Sequence, residues 1–393
     1  MTGGVRVQKV VLPGGGRTWT VLGSDHLPVG PIEQFLEYCR QRGYSPNTAK
    51  SYARALTLWW EYLAQAGLDW RTVGISELGG YPTWLRSGVP DGVAALRPGE
   101  QRFKESTVAQ RFAALSAFYA FHDLVGDELA SRLYQRVFAA PRGYVPLLEH
   151  VERRKGRARN VLAPRREGPR RPPILAPDQI EAIKAACATR EAGAWVGSVR
   201  DRLFWGLLED SGLRRGEALG LQHRDWHTGR GDTPYVEVVP REDSPDARVK
   251  GGRWRRVFIS DATDRLYGEW LWMLCDLGAD QAVEDFDASY VFVNYVREPL
   301  FSPMQPGAVD KLVARLRRKL RGVVPADWSA HWFRHTHATA LLLAGRPLHV
   351  VSRRLGHGDV QTTLNYYGWV TEDAELRALA DWKRFAAGWR VEA

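Results

Sequence analysis

The spacing of apolar residues divides the chain into regions of different period. Residues 1 to 29 alternate apolar and polar around Pro13, Gly14, Gly15 and Gly16, which predicts a small hairpin or a loose arm. From Pro31 the period becomes helical: Ile32, Phe35, Leu36 and Cys39 line one stripe that Gly43 closes. Ser45 and Pro46 start a second helix with Tyr52, Leu56, Trp59 and Leu63 on one face. A Gly/Pro-rich loop from Ser87 to Gly99 follows. Thr107 and Gln110 then have capping-box spacing ahead of a stripe through Val108, Phe112, Leu115, Tyr119 and His122. Residues 30 to 150 thus read as a helical domain.

The next segment, within residues 151 to 175, reads RRKGRARNVLAPRREGPRRPP from Arg153 to Pro173, which predicts an extended basic linker. A second domain, residues 176 to 370, opens with Ala176, Pro177 and Asp178 heading a helix through Ile180, Ile183 and Ala186. An apolar helix over Leu203 to Leu208 stops at Ser211 and Gly212, and a short one starts in the stretch from Leu213 to Leu221. Tyr235 to Pro240 alternates as a strand. Val249 to Ile259 returns as its partner, placing Lys250 near a hairpin tip. Helices dominate from Asp261. Residues 371 to 393 read as a tail whose stretch from Thr371 to Trp389 is expected to be an amphipathic helix, with Leu376, Leu379, Trp382, Phe385, Ala386 and Trp389 as its stripe. The fold class expected is mainly α with a small antiparallel sheet, in two domains.

Composition narrows the function. With 55 Lys+Arg against 45 Asp+Glu, the formal charge of +10 favours an extended polyanion as partner. Exposed positions of the first domain, among them Arg40, Arg42, Lys50, Arg54, Lys104 and Arg111, are candidate DNA contacts, as are Arg153, Arg154 and Lys155 of the linker. Three scattered cysteines, Cys39, Cys187 and Cys275, lack metal spacing and read as reduced core residues of a cytoplasmic protein. The first residues lack the apolar run of a signal peptide, and no stretch approaches the roughly 18 apolar residues of a membrane span. No Walker A loop and no GxGxxG follows a strand, so neither ATP nor a dinucleotide is indicated.

Candidate chemistry concentrates between Trp328 and Trp369, in SAHWFRHTHATALLLAGRPLHVVSRRLGHGDVQTTLNYYGW. Ser329 caps a helix whose predicted apolar face is Trp332, Phe333, Thr336, Ala340 and Leu343. His331 and Arg334, three apart, then share a face near its N-terminus, where free N–H groups and the dipole favour a phosphate. A short helix from Pro347 to Leu355 breaks at Gly356 and presents His357. Asp359 starts a third helix, which carries Thr362, Thr363, Tyr366 and Tyr367.

Taken in order, Arg214 in SGLRRGEALGL, Lys250 in VKGGRWRRVFI, His331 with Arg334, Leu355-Gly356-His357 and the Tyr366/Tyr367 pair resemble the signature of the tyrosine recombinase (phage integrase) family. SPNTAKSY, from Ser45 to Tyr52, is similar to that family's core-binding domain. The ending resembles an integrase and transposase branch that reads TTLNxY, a small residue and His, with Trp369 in the place of that His. The resemblance implies a DNA strand transferase that joins sites through a 3′-phosphotyrosine, with no metal, ATP or other cofactor. Double-stranded DNA is then the partner, bound by a homo-tetramer on paired sites, with an accessory DNA-bending or directionality protein in some systems. Arg214 and Arg334 would fork donors onto phosphate oxygens, with Glu217 orienting the site behind them. His331 would be the base or proton relay for a phenol of ordinary pKa near 10. His357 would bond a phosphate oxygen, and Lys250 would be the acid for the departing 5′ oxygen. Counting from TTLN and Trp369 makes Tyr367 the nucleophile; counting nine residues from His357 gives the alternative, Tyr366.

Three other readings share parts of this pattern. A metal-dependent nicking enzyme would use His335 and His337, which requires a strand where the period is helical. A type IB topoisomerase would share the arginines and the tyrosine. A DNA-binding regulator would keep the fold and lose the chemistry.

Overall fold

The computed structural model describes residues 4–13, 16–88, 102–125, 134–135, 159–160, 171–229, 231–241, 254–358, 363–364 and 367. The chain divides into two compact units, Met1–Gly168 and Pro169–Ala393. Lys250, Tyr366, Arg153, Arg154, Lys155, the loop expected after Gly88, most of the linker, the start of the third C-terminal helix at Asp359 and the tail helix lie outside the described residues.

In the first unit, strands β1 (Arg6–Val11) and β2 (Arg17–Leu22) pair antiparallel, Arg6 opposite Leu22, as the alternation predicts. Helices α1 (Gly30–Gln41), α2 (Pro46–Ala66), α3 (Ile75–Ser87) and α4 (Glu105–Leu124) pack around one core. Ser45 caps α2 by accepting the Thr48 N–H at 3.2 Å. The predicted stripe of α4, Val108 through His122, is buried throughout. The helix itself begins two residues before Thr107, with Lys104 at the N-cap, so Thr107 and Gln110 form no capping box. Two-residue strands β3 (Tyr134–Gln135) and β4 (Arg159–Asn160) pair with each other. β4 falls within the predicted extended linker.

The second unit surrounds a core in which Trp205 stacks on Phe333 and meets Trp328 edge-on. It begins with α5 (Pro177–Cys187) and a hairpin of β5 (Ala188–Glu191) with β6 (Ala194–Gly197). The apolar helix expected from Leu203 is α6 (Val199–Ser211), closed by Gly212 in the left-handed conformation, φ +66°. The short helix α7 (Arg215–Leu219) follows. A three-stranded antiparallel sheet runs β7 (Trp226–His227), β8 (Tyr235–Val238), β9 (Arg255–Phe258), one strand more than the expected hairpin. Helices α8 (Asp261–Asp276), α9 (Ala279–Ala282), α10 (Pro306–Lys319), α11 (Ala330–Leu343) and α12 (Leu348–Leu355) complete the described unit.

The inward face of α11 is Phe333, Arg334, His335, Ala338, Thr339 and Leu342, whereas Ala340 and Leu343 are exposed. The predicted apolar stripe is therefore rotated by about one residue. Its buried face carries a guanidinium and an imidazole, which hydropathy alone assigns to solvent. Ser329 sits at the N-cap without a side-chain cap bond. Among the described residues no helix is long and apolar enough to cross a membrane.

Candidate active site

The site is assembled from the ends of short elements of the second unit. Arg214 is the residue before α7, and Glu217, one turn on, reaches back to accept the Arg214 backbone N–H at 2.9 Å and its Nη1–H at 2.8 Å. The arginine is thereby held at the mouth of α7 while its outer face remains partly exposed. Arg334 enters from the first turns of α11. It is 2% exposed and donates Nη1–H to the Gly212 carbonyl at 2.8 Å and Nη2–H to the Leu355 carbonyl at 2.6 Å. Arg214 Nη1 reaches that same Leu355 carbonyl at 3.4 Å and the Gly356 carbonyl at 3.3 Å. Residues 120 positions apart thus converge on one helix end. A guanidinium has five N–H donors, and the two hydrogen bonds of Arg334 named here engage two of them.

A third arginine belongs to this cluster. Arg255 points inward from β9, donates Nη1–H and Nη2–H to the two oxygens of Glu217 at 3.2 and 2.7 Å, and gives Nε–H to the Arg354 carbonyl at 3.0 Å. The sequence marks Arg253, Arg255 and Arg256 only as a basic crowd near Lys250. What distinguishes Arg255 is its place on the buried side of an alternating strand, beside Val257, while Arg256 faces outward. Burying one carboxylate would raise its pKa, but the Arg255 bond and charge and the Arg214 charge outweigh this and hold Glu217 below the usual carboxylate range. Arg334 lies 4.0 Å from the same carboxylate. Burial first, then the Arg214 and Arg255 charges, pull its pKa down to about 9, so it stays cationic at neutral pH. Three guanidinium groups around one carboxylate leave a fixed positive charge suited to a phosphate.

The turn after α12 closes the site. Gly356 is in the left-handed conformation, φ +64°, and a Cβ there would meet the Arg255 guanidinium at 2.6 Å. That guanidinium is pinned by Glu217 and Arg354, so it has little room to yield. Gly356→Ala is expected to cost more than about 1 kcal/mol of stability, from φ strain and the displaced clamp, and to lower the thermal midpoint. His357 follows, its Nδ1 2.7 Å from the hydroxyl of buried Thr363. Burial, then Arg334 and Arg214, push its pKa down to about 4. In the neutral ring the threonine hydroxyl can donate to Nδ1, which leaves Nε2–H as a donor for a phosphate oxygen.

The remaining histidines of α11 have separate tasks. His331 is exposed as a residue, but its ring packs edge-on against buried His335. Burial of the ring, then the Arg334 and Arg214 charges, lower its pKa to about 4, so it is a neutral imidazole at physiological pH. His335 meets the Tyr367 hydroxyl through Nδ1 at 2.8 Å. Tyr367 itself is 2% exposed, packed with Ala338, Leu342, Val351 and Leu355. His337 turns the other way. Its Nδ1 donates to the Glu209 carbonyl at 2.8 Å while Nε2 accepts Arg354 Nε–H at 2.9 Å. His335 and His337 thus diverge and share no ligand position, which removes the geometric basis of a metal-dependent nicking site there.

In the first unit, Lys50, Arg54 and Arg111 line a hollow of about 250 Å³ together with Asn47, Ser51 and Gln110. Lys50 lies over the Trp19 ring at 4.5 Å. Arg111 Nε is buried with no hydrogen-bond partner among the described residues, and burial, with the neighbouring Arg54 charge, lowers its pKa against an opposing contribution from Tyr81. Lys104 is exposed at the N-cap of α4, outside this hollow, and Arg40 is spent on an ion pair with Glu37.

Comparison with known proteins matches this architecture. The model of the phage integrase family matches residues 173–372, and that of the phage integrase N-terminal SAM-like domain matches residues 32–123. The chain is 27% identical over 350 residues to transposase A from transposon Tn554 of Staphylococcus aureus, covering 89% of this chain and 90% of that protein. It is 26% identical over 338 residues to tyrosine recombinase XerC of Vibrio campbellii, covering 86% of each. In fold it is similar to the XerH site-specific recombinase bound to palindromic difH substrate in a post-cleavage complex, with TM-score 0.56, 17% identity, and 90% and 85% of the two chains covered. It is also similar to the Tn1549 transposon integrase in complex with a circular intermediate DNA, with TM-score 0.54, 17% identity, and 86% and 94% covered. A mainly helical two-unit chain in which Arg214, Arg334 and His357 meet at one helix end, matched by family models over both units, belongs to the phage integrase family of tyrosine recombinases.

Proposed function

We propose that this chain recombines DNA at specific sites through a covalent link to Tyr367, with Arg214, Arg334 and His357 holding the scissile phosphate. The observation that carries this reading is the shared Leu355 carbonyl. Arg214 and Arg334 both donate to it, and His357 stands two residues further along the same turn. In the step itself the Tyr367 oxygen bonds to phosphorus, the bond from phosphorus to the 5′ oxygen breaks, and the phenolic proton leaves its hydrogen bond with His335 for the neutral imidazole of His331, the base or proton relay in this reading. Lys250 returns a proton to the leaving 5′ oxygen. The phosphotyrosine keeps a phosphoester bond, so a 5′ hydroxyl of a second strand reverses the step and joins the new strand without ATP.

Charge explains why such a site works. The transition state concentrates negative charge on the non-bridging oxygens, and donors fixed in advance meet it without reorganising. Lys50, Arg54 and Arg111 contact the DNA backbone from the first unit, and Arg153, Arg154 and Lys155 are further candidate contacts by their charge. Two duplexes exchanging strands call for four protomers, a homo-tetramer, acting in the cytoplasm on the nucleoid, with an accessory bending or directionality protein where the site requires one. Its relatives in Staphylococcus aureus and Vibrio campbellii are named transposase and tyrosine recombinase, which favours strand exchange over relaxation of supercoils or passive regulation.

The reading is tested by covalent trapping. Incubating the full chain with a pool of random-sequence nicked duplexes, in which the short 5′ fragment diffuses away, is expected to yield a protein–DNA adduct stable to denaturant. Sequencing the trapped DNA then returns the site. Formation of the adduct with EDTA present and ATP absent is the expected result, and an adduct that requires a divalent cation would overturn it.

A further inference from the structure

The residue after Arg334 has no assigned part in this chemistry, yet it holds the phenol. His335 is buried on α11, with Nδ1 2.8 Å from the Tyr367 hydroxyl. Its ring lies edge-on to His331, centroids 4.4 Å apart at 80°, and tilted against the Tyr367 ring at 5.9 Å and 59°. A tyrosine hydroxyl has a single proton, which lies near the ring plane on one side of the C–O bond or the other. When that proton points at Nδ1, the oxygen lone pairs are turned away from the imidazole, and the direction from which phosphorus can be attacked is set. The surrounding apolar side chains of Ala338, Leu342, Val351 and Leu355 hold the ring.

We infer that His335 is a positioning residue for the nucleophile, taking the Tyr367 hydroxyl proton in a hydrogen bond so that the oxygen is aimed before DNA arrives. The inference rests on Tyr367 being the nucleophile. Burial, and then the charges of His331, Arg334 and His357, lower the His335 pKa to about 4, which keeps the ring neutral and able to accept. The burial matters in a second way: water does not easily take the place of the imidazole, so removing this acceptor removes a contact that solvent does not restore.

The test uses the full chain and a nicked duplex bearing the trapped site, with single-turnover adduct formation measured at saturating DNA and DNA affinity measured separately. His335→Phe keeps a ring beside His331 and removes the acceptor. It is expected to slow adduct formation by about 10- to 100-fold at unchanged affinity. His335→Asn, whose Oδ1 occupies the position of Nδ1, is expected to recover most of that loss. Thermal melts of His335→Phe, Tyr367→Phe and the double variant are expected to be non-additive, since both single changes remove one bond. A His335→Phe rate equal to or above wild type overturns the inference. So does an Asn variant no faster than the Phe variant when both melt like wild type. An adduct that survives Tyr367→Phe overturns the assignment of the nucleophile and this inference with it. An adduct lost in Tyr367→Phe but formed at full rate by His335→Phe overturns this inference alone.

Discussion

Tyr367→Phe is expected to bind the nicked duplex as tightly as wild type and to form no covalent adduct. The substitution removes one oxygen from a side chain that is otherwise held by Ala338, Leu342, Val351 and Leu355, so the ring keeps its packing. Without that oxygen no phosphoester to protein can form, and the loss is complete, unlike the partial losses that follow removal of a donor. The companion variant decides the register of the TTLNYY stretch: Tyr366→Phe is expected to cleave at near wild-type rate. Denaturing gel mobility of labelled DNA measures both. The opposite pattern, with Tyr366→Phe inert and Tyr367→Phe active, would move the nucleophile by one residue and make Tyr367 a core aromatic.

Much of this site is legible in the sequence because short helices mark their own ends. Gly212 and Gly356 each take a left-handed conformation that side chains resist, so Arg214 and His357, just beyond them, are placed by local rules. The three-residue spacing of His331 and Arg334 likewise fixes their common face. What local rules miss is the direction of burial. Arg334 and His335 face the core of α11 because carbonyls at Gly212 and Leu355, and the Tyr367 hydroxyl, satisfy them there, and those partners come from distant segments. Arg255 escapes for the same reason, since an inward arginine on a strand is explained only by Glu217. The hairpin of β5 and β6 turns on Ala192 and Gly193, both at positive φ, where alanine hides a turn that Asn or Asp would announce. Helix α3 carries Gly79, Gly80 and an interior Pro82, residues that argue against a helix in isolation and are overruled by the packing of Leu78, Tyr81, Trp84 and Leu85.

The second large effect is expected at Glu217, where the stability of the second unit and the shape of the active site depend on one carboxylate. Its side chain is 1% exposed, and it accepts from Arg214, Arg255 and the Arg214 backbone while facing Arg334 at 4.0 Å. Glu217→Gln keeps the shape and removes the charge, leaving guanidinium groups buried against one another. Breaking a buried pair in this way costs about 3–5 kcal/mol, and at roughly 2–4 °C per kcal/mol for a unit of this size the thermal midpoint should fall well outside error. The pH dependence follows from the direction of the shift. A carboxyl held below its unfolded value of about 4.3 contributes stability that is complete above that pH and fades as pH falls through the lower folded value. Wild type should therefore lose stability relative to Glu217→Gln on acidification below about pH 4.3, and the gap between their melting curves should narrow. Adduct formation should fall as well, by about 100-fold or more if Arg214 and Arg334 both lose their positions. A variant that melts with wild type and cleaves at its rate would show that the arginine cluster is held by the Leu355 and Gly356 carbonyls without the carboxylate.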